Sequence, residues 1–92
     1  MPYINHINRN LFDSHIEKLS DAVVVPGELN YIFTRLCDNY INDKKCYNSI
    51  NAAIGALECA KQELYRRVAA PFENEKWHSN GDVYKGGLWK IV

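Results

Sequence analysis

Residues 47–70, YNSINAAIGALECAKQELYRRVAA, decide the fold. Ile50, Ala53, Ile54, Leu57, Ala60, Leu64 and Val68 recur at helical spacing, which gathers them on one apolar face. A second line, Asn51, Gly55, Glu58, Gln62 and Tyr65, runs beside it at spacings of four, three, four and three. A helix that needs one core face has little reason to carry a second ordered stripe of amide, glycine and carboxylate. A partner subunit or a ligand is expected to lie there. Ala70 precedes Pro71, and proline disfavours helical backbone in the residue before it. The helix is therefore predicted from about Asn48 to an end or kink at Ala70.

Toward the N-terminus, Leu29, Ile32, Phe33, Leu36, Cys37, Tyr40 and Ile41 form a second amphipathic pattern. Pro26 suits its first turn, and Glu28 lies near the positive end of its dipole. Asn42-Asp43-Lys44-Lys45 breaks it, and so short a connection predicts an antiparallel helical hairpin. Before it, Ser14 and Glu17 read as a capping box opening a short helix that stops at Val23-Val24-Val25 and Pro26. Residues 1–12 read as an arm with a short strand at Tyr3 to Asn5. After Pro71, Asn80-Gly81 is a hairpin-type turn signal flanked by Trp77, Val83 and Tyr84. Gly86-Gly87 is a second hinge, and Leu88, Trp89, Ile91 and Val92 follow it. The expected architecture is mainly α: a hairpin, one short helix and a small β element near the C-terminus. It is one domain over 1–92, divided into an arm (1–12), a helical core (14–70) and a β/turn tail (71–92).

Ninety-two residues make a thin core, since a chain of this size buries only about 60–65% of its unfolded surface. Two long apolar faces exceed what such a chain covers alone, so homo-oligomerisation is expected. Eleven basic and eleven acidic residues leave zero net charge, which argues against a dedicated nucleic-acid binder. The start, Met1-Pro2-Tyr3-Ile4-Asn5, lacks signal-peptide character, and no apolar run is long enough for a membrane span. Cys37, Cys46 and Cys59 are odd in number without CxxC spacing, so free, chemically ordinary thiols in a reducing cytoplasm are expected.

No catalytic motif is present in the sequence. His6, His15 and His78 lie far apart without metal-ligand spacing, so no metal site and no cofactor are expected. The candidate ligand-binding residues are Asn30, Asn51, Glu58, Gln62, Tyr65 and Arg66. Amides and a carboxylate can read a base or ribose, Tyr65 can stack on a ring, and Arg66 can grip phosphate bidentately. Each has a plainer account. Glu58 suits a solvated helix face, and arginines near a helix end offset its dipole. Glu63 and Arg67 are an ordinary i, i+4 pair.

Three segments carry a resemblance. Pro26-Gly27-Glu28-Leu29-Asn30-Tyr31, Asn51 to Glu58 running into Glu63-Leu64-Tyr65-Arg66-Arg67, and Asn80-Gly81-Asp82-Val83-Tyr84 resemble a family of small tailed-phage and prophage proteins of unknown function. The resemblance implies action in the cytoplasm of a bacterial host and brings no catalytic residue. The reading is a non-enzymatic binding protein that sequesters a small nucleotide-like immune signal in a pocket between subunits. The alternative is a protein–protein inhibitor or regulator of a host factor. A weaker one is a small phosphodiesterase-like enzyme with Glu58 or Asp82 as base.

Overall fold

The computed structural model describes residues 1–43 and 45–85. The chain is mainly helical: α1 (His6–Arg9), α2 (Asp13–Ala22), α3 (Pro26–Asp43), α4 (Tyr47–Leu64), a π-helical turn (Tyr65–Ala69) and α5 (Ala70–Asn80). It divides into two compact units, Met1–Ala60 and Lys61–Val92. Among the described residues no strand forms. The tail residues Leu88, Trp89, Ile91 and Val92 and the Gly86-Gly87 hinge lie outside them.

In the first unit the local signals are largely used, with changes of detail. The arm holds no strand. Asn5 instead caps α1, its Oδ1 accepting from the Asn8 amide at 3.0 Å, and Arg9 Nε donates to the Ile4 carbonyl at 2.7 Å. The Ser14–Glu17 capping box is not formed. The helix opens two residues earlier than a Ser14 cap would give, at Asp13, with Phe12 in the cap position and no side-chain cap. The carboxylate that does reach back is Glu28, whose Oε1 accepts from the amides of Val24 at 2.8 Å and Val25 at 3.0 Å. It thereby satisfies two donors that the opening of α3 leaves without helical partners.

The predicted apolar face of α4 is buried only at Ala53. Ser49 and Ala53 are its buried residues, whereas Ile50, Ile54 and Leu57 are 42%, 60% and 44% exposed. On α3, Ile32, Cys37 and Ile41 are half-buried, and Leu29, Phe33, Leu36 and Tyr40 remain exposed. Most of the large side chains expected to close a hairpin core are left open to water.

In the second unit the helix does not stop at Pro71. Within an α-helix, a proline ring collides with the carbonyl four residues back and donates nothing to it. Here the turn ahead of the proline is widened: the Ala70 amide bonds to Tyr65 O, five residues back. One extra residue in that turn changes the register in which the Pro71 ring meets the preceding carbonyls. The helix resumes as α5 with Pro71 in its first turn. Trp77, expected in a strand, is helical and stacks on His78 with ring centroids 5.3 Å apart. Gly81 makes no hairpin. At φ +88° it ends α5, its amide donating to Trp77 O at 2.9 Å, a conformation that glycine adopts without a Cβ penalty.

Candidate binding face

Asn51, Gly55 and Glu58 share one exposed face of α4 in the first unit. A Cβ built on Gly55 meets nothing within 4 Å, so no neighbour among the described residues requires glycine there. Asn51 follows Ile50 and Glu58 follows Leu57 by one residue. The polar line therefore lies about 100° around α4 from the exposed apolar stripe. Asn30, on α3 in the same unit, is engaged on its own helix. Thr34 Oγ1 donates to its backbone carbonyl at 2.9 Å and lies 3.3 Å from its Oδ1.

Gln62, Tyr65 and Arg66 belong to the second unit. Tyr65 opens the π turn, and its hydroxyl donates to Glu73 Oε2 at 2.9 Å. This hydrogen bond, and then the carboxylate's charge, hold the phenol above its ordinary pKa. Arg66 closes on Glu63, with Nη2 2.8 and 2.9 Å from the two carboxylate oxygens and Nε 3.2 Å from one of them. Thus Glu63 pairs with Arg66 at i, i+3, where the i, i+4 pair with Arg67 was expected. The Arg66 side chain is 64% exposed, and an exposed helical pair of this kind contributes about 0.2–0.5 kcal/mol.

Glu73 carries no signal in the sequence, and Cys46 reads there as an ordinary thiol. The Tyr65–Glu73 contact spans the π turn, so ideal α-helical spacing gives no sign of it. Cys46 had a legible signal, because it immediately precedes a long helix. Its Sγ lies 3.2 Å from Ser49 Oγ, and the hydrogen bonds from the Ser49 side chain, the Ser49 amide and the Asn48 amide lower its pKa. All three cysteines are free, but Cys46 is not ordinary.

Two clefts are lined by none of the six predicted ligand residues, although the wall of the second includes Glu73, the hydrogen-bond partner of Tyr65. One of about 400 Å³ lies between the end of α2 and the start of α3, lined by Leu19, Val23, Tyr31 and Ile32 among others. Another of about 550 Å³ lies between α5 and residues 81–84, with Trp77 and Tyr84 in its wall. Among the described residues no three His, Cys, Asp or Glu side chains gather as a metal site, and no helix is long and apolar enough to cross a membrane.

The sequence profile of a domain of unknown function (DUF6899) matches residues 1–83. No curated protein and no solved structure matches the chain.

Proposed function

We propose that the chain, which belongs to the family of this domain of unknown function (DUF6899), acts by binding rather than by catalysis. Assembled with further copies of itself, it captures a small nucleotide-like ligand on α4. The observation that supports this is the adjacency on that helix. Whatever covers Ile50, Ile54 and Leu57 brings its edge over Asn51 and Glu58, and Gly55 leaves room between them for a backbone or a flat ring. The amide and carboxylate then read donors and acceptors of a base or ribose in a site that one chain leaves open. The resemblance to phage and prophage proteins supports a counter-defence role, sequestration of a nucleotide signal of host immunity. The antiparallel hairpin remains part of this proposal as the arrangement that presents α4.

A second reading has its own observation. Large apolar side chains stand exposed along α3, as an inhibitor or regulator gripping a host protein requires. Calorimetry against a panel of cyclic and linear nucleotides separates the two. The proposal predicts binding by at least one member, weakened about tenfold by Glu58→Gln, equivalent to about 1.4 kcal/mol. Absence of binding across the panel, or turnover of a bound nucleotide, would overturn it.

A further inference from the structure

We infer that the cleft between α5 and residues 81–84 is a binding site for a small organic cation, an ammonium or guanidinium group on a short apolar body. Its volume of about 550 Å³ lies within the roughly 300–1,000 Å³ of small-molecule pockets. The cleft belongs wholly to the second unit. Its wall brings together two aromatic rings, Trp77 and Tyr84, and two carboxylates, Glu73 and Asp82. A ring attracts a cation through the negative face of its π system, and a carboxylate attracts it through charge. A phosphate is served by neither.

Bonds within the chain hold these groups in place. Gly81, at φ +88°, turns the chain as α5 ends, its amide donating to Trp77 O at 2.9 Å. The Tyr84 amide then donates to Asp82 Oδ1 at 3.0 Å, which ties that carboxylate to the backbone carrying the ring. Glu73 is held across the π turn by the Tyr65 hydroxyl, which donates to its Oε2 at 2.9 Å. Each of these bonds uses one carboxylate oxygen. An ionised carboxylate offers about four acceptor positions, so both keep capacity for the N–H groups of a ligand. The Trp77 ring is steadied by its stack on His78, with planes 16° apart. Trp77 and Tyr84 are 37% and 73% exposed, which leaves ring surface for an incoming group.

The charge in the wall has the sign that a cation requires. Among its described residues Lys76 is the basic one, and its Nζ lies 5.5 Å from the centre of the Phe72 ring, a residue outside the wall. Two carboxylates against one ammonium leave the cleft negative. Glu73 to Asn80 form the last turns of α5, whose carbonyls carry the negative end of the helix dipole. Rings, carboxylates and helix end therefore act in one direction. This site is independent of the nucleotide proposal, because its wall holds none of Asn30, Asn51, Glu58, Gln62, Tyr65 and Arg66.

Titration of the full chain tests it, at about pH 8, where an ordinary imidazole is uncharged. The tryptophans are Trp77 and Trp89, so a Trp89→Phe background leaves Trp77 as the indole reporter. Choline is compared with its uncharged counterpart 3,3-dimethyl-1-butanol, and butylguanidine with butylurea. At least one of the two cations should bind with a Kd of about 1 mM or tighter, and about tenfold more tightly than its counterpart. Calorimetry and a change in Trp77 emission should report the same affinity. Asp82→Asn, which keeps an acceptor for the Tyr84 amide, and Tyr84→Leu should each weaken that binding about three- to tenfold. Glu73→Gln, which still accepts from Tyr65, takes the place of either variant that loses its helical circular dichroism. Asp38→Asn on α3 removes a carboxylate far along the chain and should change nothing. The site is overturned if neither cation binds up to about 10 mM, or if the uncharged counterparts bind equally well. Affinity unchanged by the cleft substitutions, or lowered as much by Asp38→Asn, also overturns it. Cation binding without nucleotide binding refutes the nucleotide proposal and leaves this site standing, and the converse result does the reverse.

Discussion

Replacing Gly55 with alanine separates a close-approach site from an ordinary helix position. Gly55 sits inside α4, exposed, and a built Cβ touches nothing within 4 Å. Within the isolated chain the methyl group is therefore accommodated without strain. It should stabilise the helix by about 0.5–1 kcal/mol, because glycine loses more backbone entropy on folding than alanine. For a domain of this length such a gain raises Tm by roughly 2–8 °C. The binding account requires the opposite sign for the ligand: the methyl group occupies the space through which a ring or a neighbouring backbone approaches. Gly55→Ala should thus melt at a higher temperature without ligand and bind the best nucleotide at least about tenfold more weakly, a cost of about 1.4 kcal/mol. Thermal melts by circular dichroism and calorimetric titration on one preparation give both numbers. Unchanged affinity alongside a raised Tm would refute the reasoning, since Gly55 would then adjoin nothing in the working protein.

Two titratable groups give further predictions. Cys46 should react with iodoacetamide at pH 7.5 faster than Cys59, which is also exposed, because hydrogen bonds led by the Ser49 side chain stabilise its thiolate; Ser49→Ala should narrow the difference, as read by peptide mass mapping over time. The Glu28 carboxylate is held below its ordinary pKa of 4.5, first by the Val24 amide and then by the Val25 amide. Its contribution to stability is thus fully present above about pH 4.5 and fades as pH falls through the lower folded-state value. Glu28→Gln should be less stable than wild type at pH 7, and the gap should shrink as pH falls below 4.5 in parallel melts; a gap independent of pH would contradict the capping role. Arg66→Ala should leave helicity nearly unchanged, because the exposed pair with Glu63 contributes only about 0.2–0.5 kcal/mol, and a large loss of helicity would show a structural role instead.

Much of the helical layout was legible because it depends on short-range physics. The amphipathic spacing from Leu29 to Ile41 and from Ile50 to Leu64 marks α3 and α4 without knowledge of any neighbour. Signals that permit two uses were harder to read. Pro71 ends a regular α-helix, yet here the preceding turn widens and the helix continues. Asn80-Gly81 favours a positive φ, which serves a hairpin turn and a helix C-cap equally, and the second is formed. Face assignment was harder still. Spacing alone ranks Ile50 and Ile54 above Ser49 as core residues, yet Ser49 is buried and both isoleucines are exposed, because burial depends on what lies opposite. The exposed polar line of Asn51, Gly55 and Glu58 was legible as a helix face. The partners of Arg66 and Tyr65 were not: one is settled by a choice between i+3 and i+4, the other by the register of a π turn.

Native mass spectrometry of the protein purified gently from cells that produce nucleotide immune signals tests binding by an assembly most directly. The account predicts a species at a whole multiple of the 10.6 kDa chain, carrying additional mass that denaturation releases as an intact small nucleotide. A bare 10.6 kDa species at every concentration, or an assembly that releases only a hydrolysed product, would contradict it.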